Sequence, residues 1–315
     1  MTSERHIPRS PPGAKLAILA VVATGPSLSC NGLGLAQSFQ IDRLRVLAIA
    51  ADPAEPEPGD TVTFTSLVVD PVATVGITTW LACNVDSGYG CSVDPTLINS
   101  LGDAANMTPD QLAALYAELQ AAGLIGVQPF FEPTWTVPAD YLDGLTDDQK
   151  IEGSEAIVTV TAIQDVPGDT GTLDTASGDI EIAYKRVPVS LATTPNHNPQ
   201  VLGLTVDGVA VTPGAVLKLS RGQTYAISCD LSAASIEDYT FVDDAGLAET
   251  RTEQPYFTWY LQEGSFDQSN TLWPYTTVQY TAPDSPTMNE QSLWCVVRDR
   301  RGGMAWVEQK LELGA

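Results

Sequence analysis

Alternation of apolar and polar positions dominates the chain before residue 190. Val62 and Phe64 alternate with threonines in the run Asp-Thr-Val-Thr-Phe-Thr-Ser that begins at residue 60. The same alternation recurs at residues 77–83, 155–163 and 179–184. A period of two with β-branched residues is typical of strands that bury one face. Because turns rich in glycine, proline and aspartate separate these strands, we predict a β-sandwich at residues 42–190.

One segment in this region has helical periodicity instead. Thr108, Pro109 and Gln111 fit an N-cap, a first helical turn and a capping box. Apolar residues then fall on one face of a helix near residues 108–122, before Gly123. This helical insertion either has a function of its own or covers an open edge or end of the sheet.

The chain of 315 residues is long enough for two domains. Residues 191–199 are polar, contain two prolines and show no periodicity, so we predict an extended linker there. Residues 200–315 would then form the second domain.

The second domain carries a more specific pattern. Cys229 and Cys295 each share a strand face with apolar residues, and Trp259 lies on a strand between them. This order of residues resembles an immunoglobulin-like sandwich, in which the two cysteines form a disulfide across the sheets. Such a bond would close a loop of about 65 residues and stabilise the fold by about 4 kcal/mol.

The resemblance has two gaps. Leu293 stands where the immunoglobulin family has a tyrosine, and residues 232–255 predict a large loop before Trp259. Both gaps favour a bacterial immunoglobulin-like or PKD-like variant. The predicted fold class is all-β, with two immunoglobulin-like β-sandwich domains in tandem and a helical insertion in the first.

The first 29 residues have the features of a signal peptide. Arg5, Arg9 and Lys15 precede an apolar run at 16–23 that is too short to span a bilayer. The run Ser-Leu-Ser that ends in Cys30 resembles a bacterial lipobox, so we predict lipidation of Cys30 and a tether at residues 30–41. Ordinary signal cleavage after Ala36 is the alternative.

Two further segments of the sequence indicate the same cellular location. Residues 42–71 and residues 297–306 resemble cell-surface lipoproteins of myxobacteria and related deltaproteobacteria. The resemblance implies an exported protein that is lipid-anchored to the bacterial outer membrane or cell surface. A secreted or periplasmic soluble protein is the alternative.

Charge limits the partners that we expect. The chain has 39 acidic and 15 basic residues, for a formal net charge of −24, and no basic stripe. Such a surface repels phosphate backbones, which argues against a nucleic-acid partner. Acidity also keeps exported proteins soluble.

The remaining cysteines and two aspartates suggest a short-range disulfide and a candidate calcium site. Cys83 and Cys91 lie close enough in sequence to form a second disulfide around a short loop. Their spacing and that of the other cysteines match no zinc pattern. Asp165 and Asp169 could supply oxygen ligands for calcium, although they also suit an ordinary turn.

The sequence contains little that predicts catalysis. There are two histidines, and His197 lies in the linker rather than on a predicted element. Nucleophilic mechanisms need an imidazole held by a rigid scaffold, and no pair of acids stands out. We therefore predict a protein that is not an enzyme and needs no cofactor.

Aromatic residues of the second domain are the candidate contacts. We expect Trp294 to face outward, since its phase is opposite to that of Cys295. Exposed aromatics stack on sugars or anchor protein partners; the alternative is that they pack against the first domain or the long loop. The predicted function is adhesion or assembly through protein partners in the envelope, with carbohydrate binding as the alternative. The four candidates are Trp273, Tyr275, Trp294 and Trp306.

Overall fold

The computed structural model describes residues 38–83, 107–121, 123–165, 179–242 and 247–314. Gln37–Ala315 forms one compact unit, and within it the described strands form two β-sandwiches. The predicted all-β class with tandem sandwiches is confirmed. Among the described residues, no helix is both long and apolar enough to cross a membrane.

The first sandwich packs a three-stranded sheet on a four-stranded sheet. The strand orders are β1-β2-β5 and β4-β3-β6-β7, and all pairs are antiparallel. The strands are β1 Arg45–Asp52, β2 Thr61–Val69, β3 Thr74–Cys83, β4 Leu124–Gln128, β5 Thr134–Thr136, β6 Ser154–Asp165 and β7 Ile180–Val189.

Alternation in β2 builds the core of this sandwich. Val62 and Phe64 are fully buried, while Thr61, Thr63 and Thr65 are exposed. The ring of Phe64 stacks on that of Trp80 from the facing sheet, with centroids 5.9 Å apart. Period-two patterning therefore places one face of β2 inside, as expected from strand geometry.

A helix, α1 (Pro109–Ala121), lies over the outer face of β3 and β4. Its capping box is formed, since Gln111 N–H donates to Thr108 Oγ1 at 3.3 Å and Thr108 N–H donates to Gln111 Oε1 at 2.9 Å. Leu119 is buried against Leu124 of β4 and its neighbours. The helix thus covers apolar sheet surface.

A second short helix, α2 (Asp147–Glu152), was not predicted. Thr146 caps it through a capping box with Gln149. The sequence signal is present, but a helix of six residues leaves no apolar period to detect.

The second sandwich packs two five-stranded sheets. Their orders are β10-β19-β18-β14-β16 and β15-β17-β11-β8-β9, and β10 pairs in parallel with β19. This is the strand order of an immunoglobulin-like sandwich with an added edge strand beside β14. The strands of these two sheets are β8 Val201–Val206, β9 Val209–Ala210, β10 Leu217–Ser220, β11 Thr224–Leu231, β14 Tyr256–Leu261, β15 Ser265–Phe266, β16 Asn270–Leu272, β17 Thr277–Thr281, β18 Glu290–Arg298 and β19 Met304–Gly314.

The predicted long loop at residues 232–255 is instead a structured excursion. It contains a 3-10 turn, Ala233–Ser235, and an antiparallel hairpin of β12 (Asp238–Val242) and β13 (Ala248–Thr252). All five residues of β13 are exposed. Because this strand buries no face, its sequence has no alternation of apolar and polar residues that would have predicted it.

Cys229, Trp259 and Cys295 are fully buried in the core of the second sandwich. Burial and the neighbouring Cys229 raise the pKa of the Cys295 thiol. The two sulfurs are not bonded to each other in this structure, and the cross-sheet disulfide stays a prediction.

Candidate functional site

An apolar contact joins the outer face of β18 to the first sandwich. Trp294 and Val296 pack with Leu47 and Ala48 of β1 and with Leu67 of β2. Trp294 is only 3% exposed. It points away from its own core, and the first sandwich covers it, which is the alternative that the sequence left open for these aromatics.

A polar cluster, which we call the junction, lies beside this contact. Its centre is the turn at residues 299–303 between β18 and β19. The Asp299 carboxylate accepts from the backbone N–H groups of Arg301 at 2.7 Å and Gly303 at 2.9 Å, and from Asn196 Nδ2 at 2.9 Å. These three bonds fix the turn and tie it to residues 191–199.

Arg301 extends the junction to three glutamates. Its guanidinium lies 3.0 Å from Glu253, 3.4 Å from Glu237 and 3.4 Å from Glu55. It also lies over the ring of Tyr239, 4.7 Å from the centroid. Glu55 follows β1 of the first sandwich, so one side chain joins the two sandwiches and the β12–β13 hairpin.

Burial shifts the titration of this cluster. It raises the pKa of Glu253 to about 7, with the like charge of Asp299 adding to the effect. It lowers the pKa of Lys185 to about 8 against the attraction of Asp299, and Lys185 Nζ donates to the carbonyl of Gly302. Burial in the junction therefore brings the pKa values of both side chains close to neutral pH.

Residues 191–199 contain no helix or strand, and they are bonded to both sandwiches. Asn198 Nδ2 donates to the Ala51 carbonyl at 2.6 Å, and Met304 N–H donates to Asn198 Oδ1 at 2.9 Å. His197 Nδ1 lies 2.8 Å from Glu237, with most of the ring exposed. This segment is thus part of the junction rather than a free connector.

A cleft of about 470 Å³ opens beside the junction. Its acids include Glu55, which is paired with Arg301, and Glu152. No group of three or more possible metal-ligating side chains occurs in the described part of the chain. Because Glu55 is paired with Arg301, Glu152 is the acid of the described lining without an ion pair to a described residue, and the absence of enzymatic activity stays a prediction.

A separate groove of about 850 Å³ lies on the second sandwich. Tyr275 on its rim is 79% exposed. The guanidinium carbons of Arg298 and Arg300 lie 5.7 and 5.9 Å from the Tyr256 ring centroid. The lining residues are Tyr256, Gln268, Asn270, Thr271, Leu272, Tyr275, Thr277 and Arg300.

The four aromatic candidates are therefore divided between groove and interior. Tyr275 lines the groove, while Trp273 is half-buried against the core of the second sandwich. Trp306 is half-buried beside Trp294, against the first sandwich. Sequence patterns did not identify Arg300 or Tyr256 as site residues. The one signal for Arg300 was that it lies close to Arg298 and Arg301 in a short basic run.

An exposed apolar row marks the edge of the first sandwich. Ile180, Ile182 and Tyr184 alternate along β7 with side chains 44%, 53% and 64% exposed. β7 is the last strand of its sheet, so one of its sides has no hydrogen-bonded strand among the described residues, although β1 of the facing sheet lies near it and Arg45 pairs with Glu181 at 3.5 Å.

Several predicted sites lie outside the described residues. These are the lipidation site Cys30, the cleavage site after Ala36, and Cys91 and Asp169. The side chains of Cys83 and Asp165 are likewise not described. Both the Cys83–Cys91 bond and the calcium site stay predictions.

Comparison with known proteins adds little to these observations. No protein-family model and no curated protein matches the chain. Murine CEACAM1b is similar over 86% of this chain and 100% of its own, at 13% identity and a TM-score of 0.22. The N-terminal Ig1-2 module of the Drosophila receptor protein tyrosine phosphatase DLAR is similar over 87% and 100%, at 11% identity and a TM-score of 0.24.

A nucleoside hydrolase-related hypothetical protein from Saccharophagus degradans is similar over 38% of this chain, at 14% identity and a TM-score of 0.25. The match spans 26% of that protein. All three TM-scores are low, so the assignment of the fold rests on the strand order, and these similarities carry no functional argument.

Proposed function

We propose that this chain is a non-enzymatic surface protein that binds a protein partner, in adhesion or as a subunit of an envelope assembly. The observation that carries the proposal is the exposed row of Ile180, Ile182 and Tyr184 on the edge strand β7. A strand with no hydrogen-bonded partner on one side offers backbone N–H and C=O groups to an extended segment, and exposed apolar side chains add specific contacts.

The joined sandwiches support this role. The Trp294 contact and the Arg301 cluster connect the two sandwiches through apolar and ionic groups. A binding surface on one sandwich is thus held at a defined position relative to the other. We further propose export and a lipid anchor at Cys30, on the strength of the first 30 residues, with a secreted or periplasmic protein as the alternative.

A photo-crosslinking amino acid at position 182 tests the proposed edge. The full chain would carry it in the cells that express the protein, and position 209 would serve as control, because Val209 is 70% exposed on an edge strand of the second sandwich. We expect one discrete adduct from position 182 and none from position 209. Adding Tyr184→Lys should abolish the adduct. Equal labelling from both positions, or none from either, would contradict the proposal.

Carbohydrate binding is the second candidate, and the groove favours it. Tyr275 is the most exposed aromatic of the four candidates, and the amides of Gln268 and Asn270 lie in the same groove. Sugar rings stack on such aromatics while amides bond to hydroxyls. Gel electrophoresis through soluble polysaccharides should show retardation of the wild type that Tyr275→Ala removes; unchanged retardation of the variant would exclude this groove.

A further inference from the structure

The groove differs in charge from the rest of the molecule. Although the chain has 39 acidic residues and 15 basic ones, the described lining of the groove contains Arg300 and no acid. Arg300 is exposed and makes no ion pair with a described residue. Its guanidinium carbon lies 5.9 Å from the Tyr256 ring centroid. A free guanidinium in such an acidic protein is available to an anionic ligand.

The backbone at this position is also unusual. Arg300 has φ +76°, in the left-handed region, which costs a side-chain-bearing residue about 1 kcal/mol or more relative to the right-handed one. Glycine would adopt this conformation without that cost. The neighbours on either side, Asp299 and Arg301, point into the junction. The turn thus directs the Arg300 side chain to the groove, although this backbone conformation is unfavourable in free energy for arginine.

We propose that the groove binds an acidic saccharide, with Arg300 pairing a uronate carboxylate and Tyr275 stacking on a sugar ring. The proposal rests on the second candidate function above and specifies its ligand. A guanidinium pairs with a carboxylate through two parallel hydrogen bonds. Arg298, which donates to Thr258 Oγ1 and the Leu47 carbonyl, adds positive charge beside the Tyr256 ring.

The net charge of the protein does not prevent this binding. Repulsion from distant carboxylates is screened beyond about 8 Å at physiological ionic strength. A carboxylate in contact with Arg300 is within that distance of the guanidinium. The contact therefore decides the local interaction, while the acidic surface slows the approach of anions at low salt.

Two forms of one oligosaccharide separate charge from sugar recognition. Titration calorimetry of the full chain at about 0.15 M salt would use an oligogalacturonate and its methyl ester, which has the same backbone without the charges. We expect the acidic form to bind the wild type at least about tenfold more tightly than the ester, and Arg300→Gln to remove that difference. Tyr275→Ala should weaken both forms, and its exposed position spares the fold.

Arg186→Gln is the matched control, because Arg186 is an exposed arginine on the first sandwich that pairs with Glu155 at 3.1 Å. It should leave binding unchanged. Equal binding of both forms, unaffected by Arg300→Gln, would overturn the acidic specificity and leave carbohydrate binding intact. Binding of neither form would overturn the proposed acidic ligand, and the polysaccharide gel experiment with Tyr275→Ala would then decide carbohydrate binding itself.

Discussion

Asn196 Nδ2 donates to Asp299 Oδ2 at 2.9 Å, and each residue is only 2% exposed. The bond connects the segment between the two sandwiches to the turn between β18 and β19. A buried carboxylate is stable only when its hydrogen bonds are satisfied. The connector is therefore part of the folded core, and the junction should contribute to the stability of both sandwiches.

Replacing Asp299 tests this contribution. Asp299→Ala removes the acceptor of three hydrogen bonds and leaves Asn196 and two backbone N–H groups without their partner. We expect the free energy of unfolding to fall by about 3 kcal/mol, measured by urea denaturation. Asp140→Ala, at an exposed position, should change it by less than about 0.5 kcal/mol. Equal effects of the two variants would show that the junction does not stabilise the fold.

The raised pKa of Glu253 predicts a pH dependence. Its pKa is about 7 in the folded chain against an ordinary value of 4.5, so the folded state holds an extra proton between these values. The unfolding free energy should therefore fall as pH rises from about 4.5 through 7, by up to about 3 kcal/mol from this group. Urea denaturation at intervals from pH 5 to 8 measures the slope.

Glu253→Gln removes the pH dependence that comes from this carboxyl group, since glutamine stays neutral at every pH. Its side-chain oxygen can still accept a hydrogen bond from Arg301. The variant should lose stability less steeply over this range than the wild type does. Glu118→Gln, at an exposed position on α1, is the control and should keep the wild-type slope. If the slopes of wild type and Glu253→Gln coincide, the assigned titration is wrong.

The lowered pKa of Lys185 predicts the opposite dependence of stability on pH, in the alkaline range. Its pKa is lowered from 10.5 to about 8, so the unfolded chain holds more protons between these values. Stability from this group should rise as pH increases from about 8 to 10.5. Lys185→Met keeps much of the side-chain volume without the charge, and it should remove the rise in a denaturation series from pH 7.5 to 10. A rise that persists in the variant would assign it to another group.

Local patterns predicted the interiors of the two sandwiches. The inward phases of Phe64, Cys229, Trp259 and Cys295 followed from period two, because alternation within a strand depends only on neighbouring residues. The capping box of Thr108 and Gln111 is equally local. These features could be predicted because interactions between residues that are close in sequence determine them.

Contacts between the sandwiches could not be predicted in this way. The phase of Trp294 shows that it leaves its own core, but it does not show that β1 and β2 cover it. Arg301 and Glu55 meet across 246 positions of sequence, and each in isolation has the composition of a surface turn. Of the groove, the sequence predicted Tyr275 as a contact, while Arg300 required the geometry of the turn.

The burial of Trp294 makes a prediction that separates it from Tyr275. Trp294→Ala should leave a cavity between the sandwiches and lower the unfolding free energy by about 4 kcal/mol. Trp294→Phe should cost much less, because Trp294 Nε1 has no hydrogen-bond partner among the described residues and only volume is lost. Tyr275→Ala should change stability by about 0.5 kcal/mol or less. Similar losses for Trp294→Ala and Tyr275→Ala would contradict the assigned packing.

The buried pair of cysteines gives the last prediction. Cys229 and Cys295 lie on facing sheets with no exposed surface, and an oxidising compartment would join them if the protein is exported. Protein purified without reductant, then unfolded and alkylated, should show neither cysteine modified in a peptide digest. Reduction before alkylation should modify both and lower the unfolding free energy by about 4 kcal/mol.

Cys229→Ala with Cys295→Ala is the matched control for that loss. On reduction its unfolding free energy should fall by about 4 kcal/mol less than that of the wild type, because the closed loop is already absent, and any loss that remains belongs to the predicted Cys83–Cys91 bond. If both cysteines of the unreduced wild type are alkylated, the pair serves only as buried apolar volume, and export to an oxidising compartment loses one of its supports.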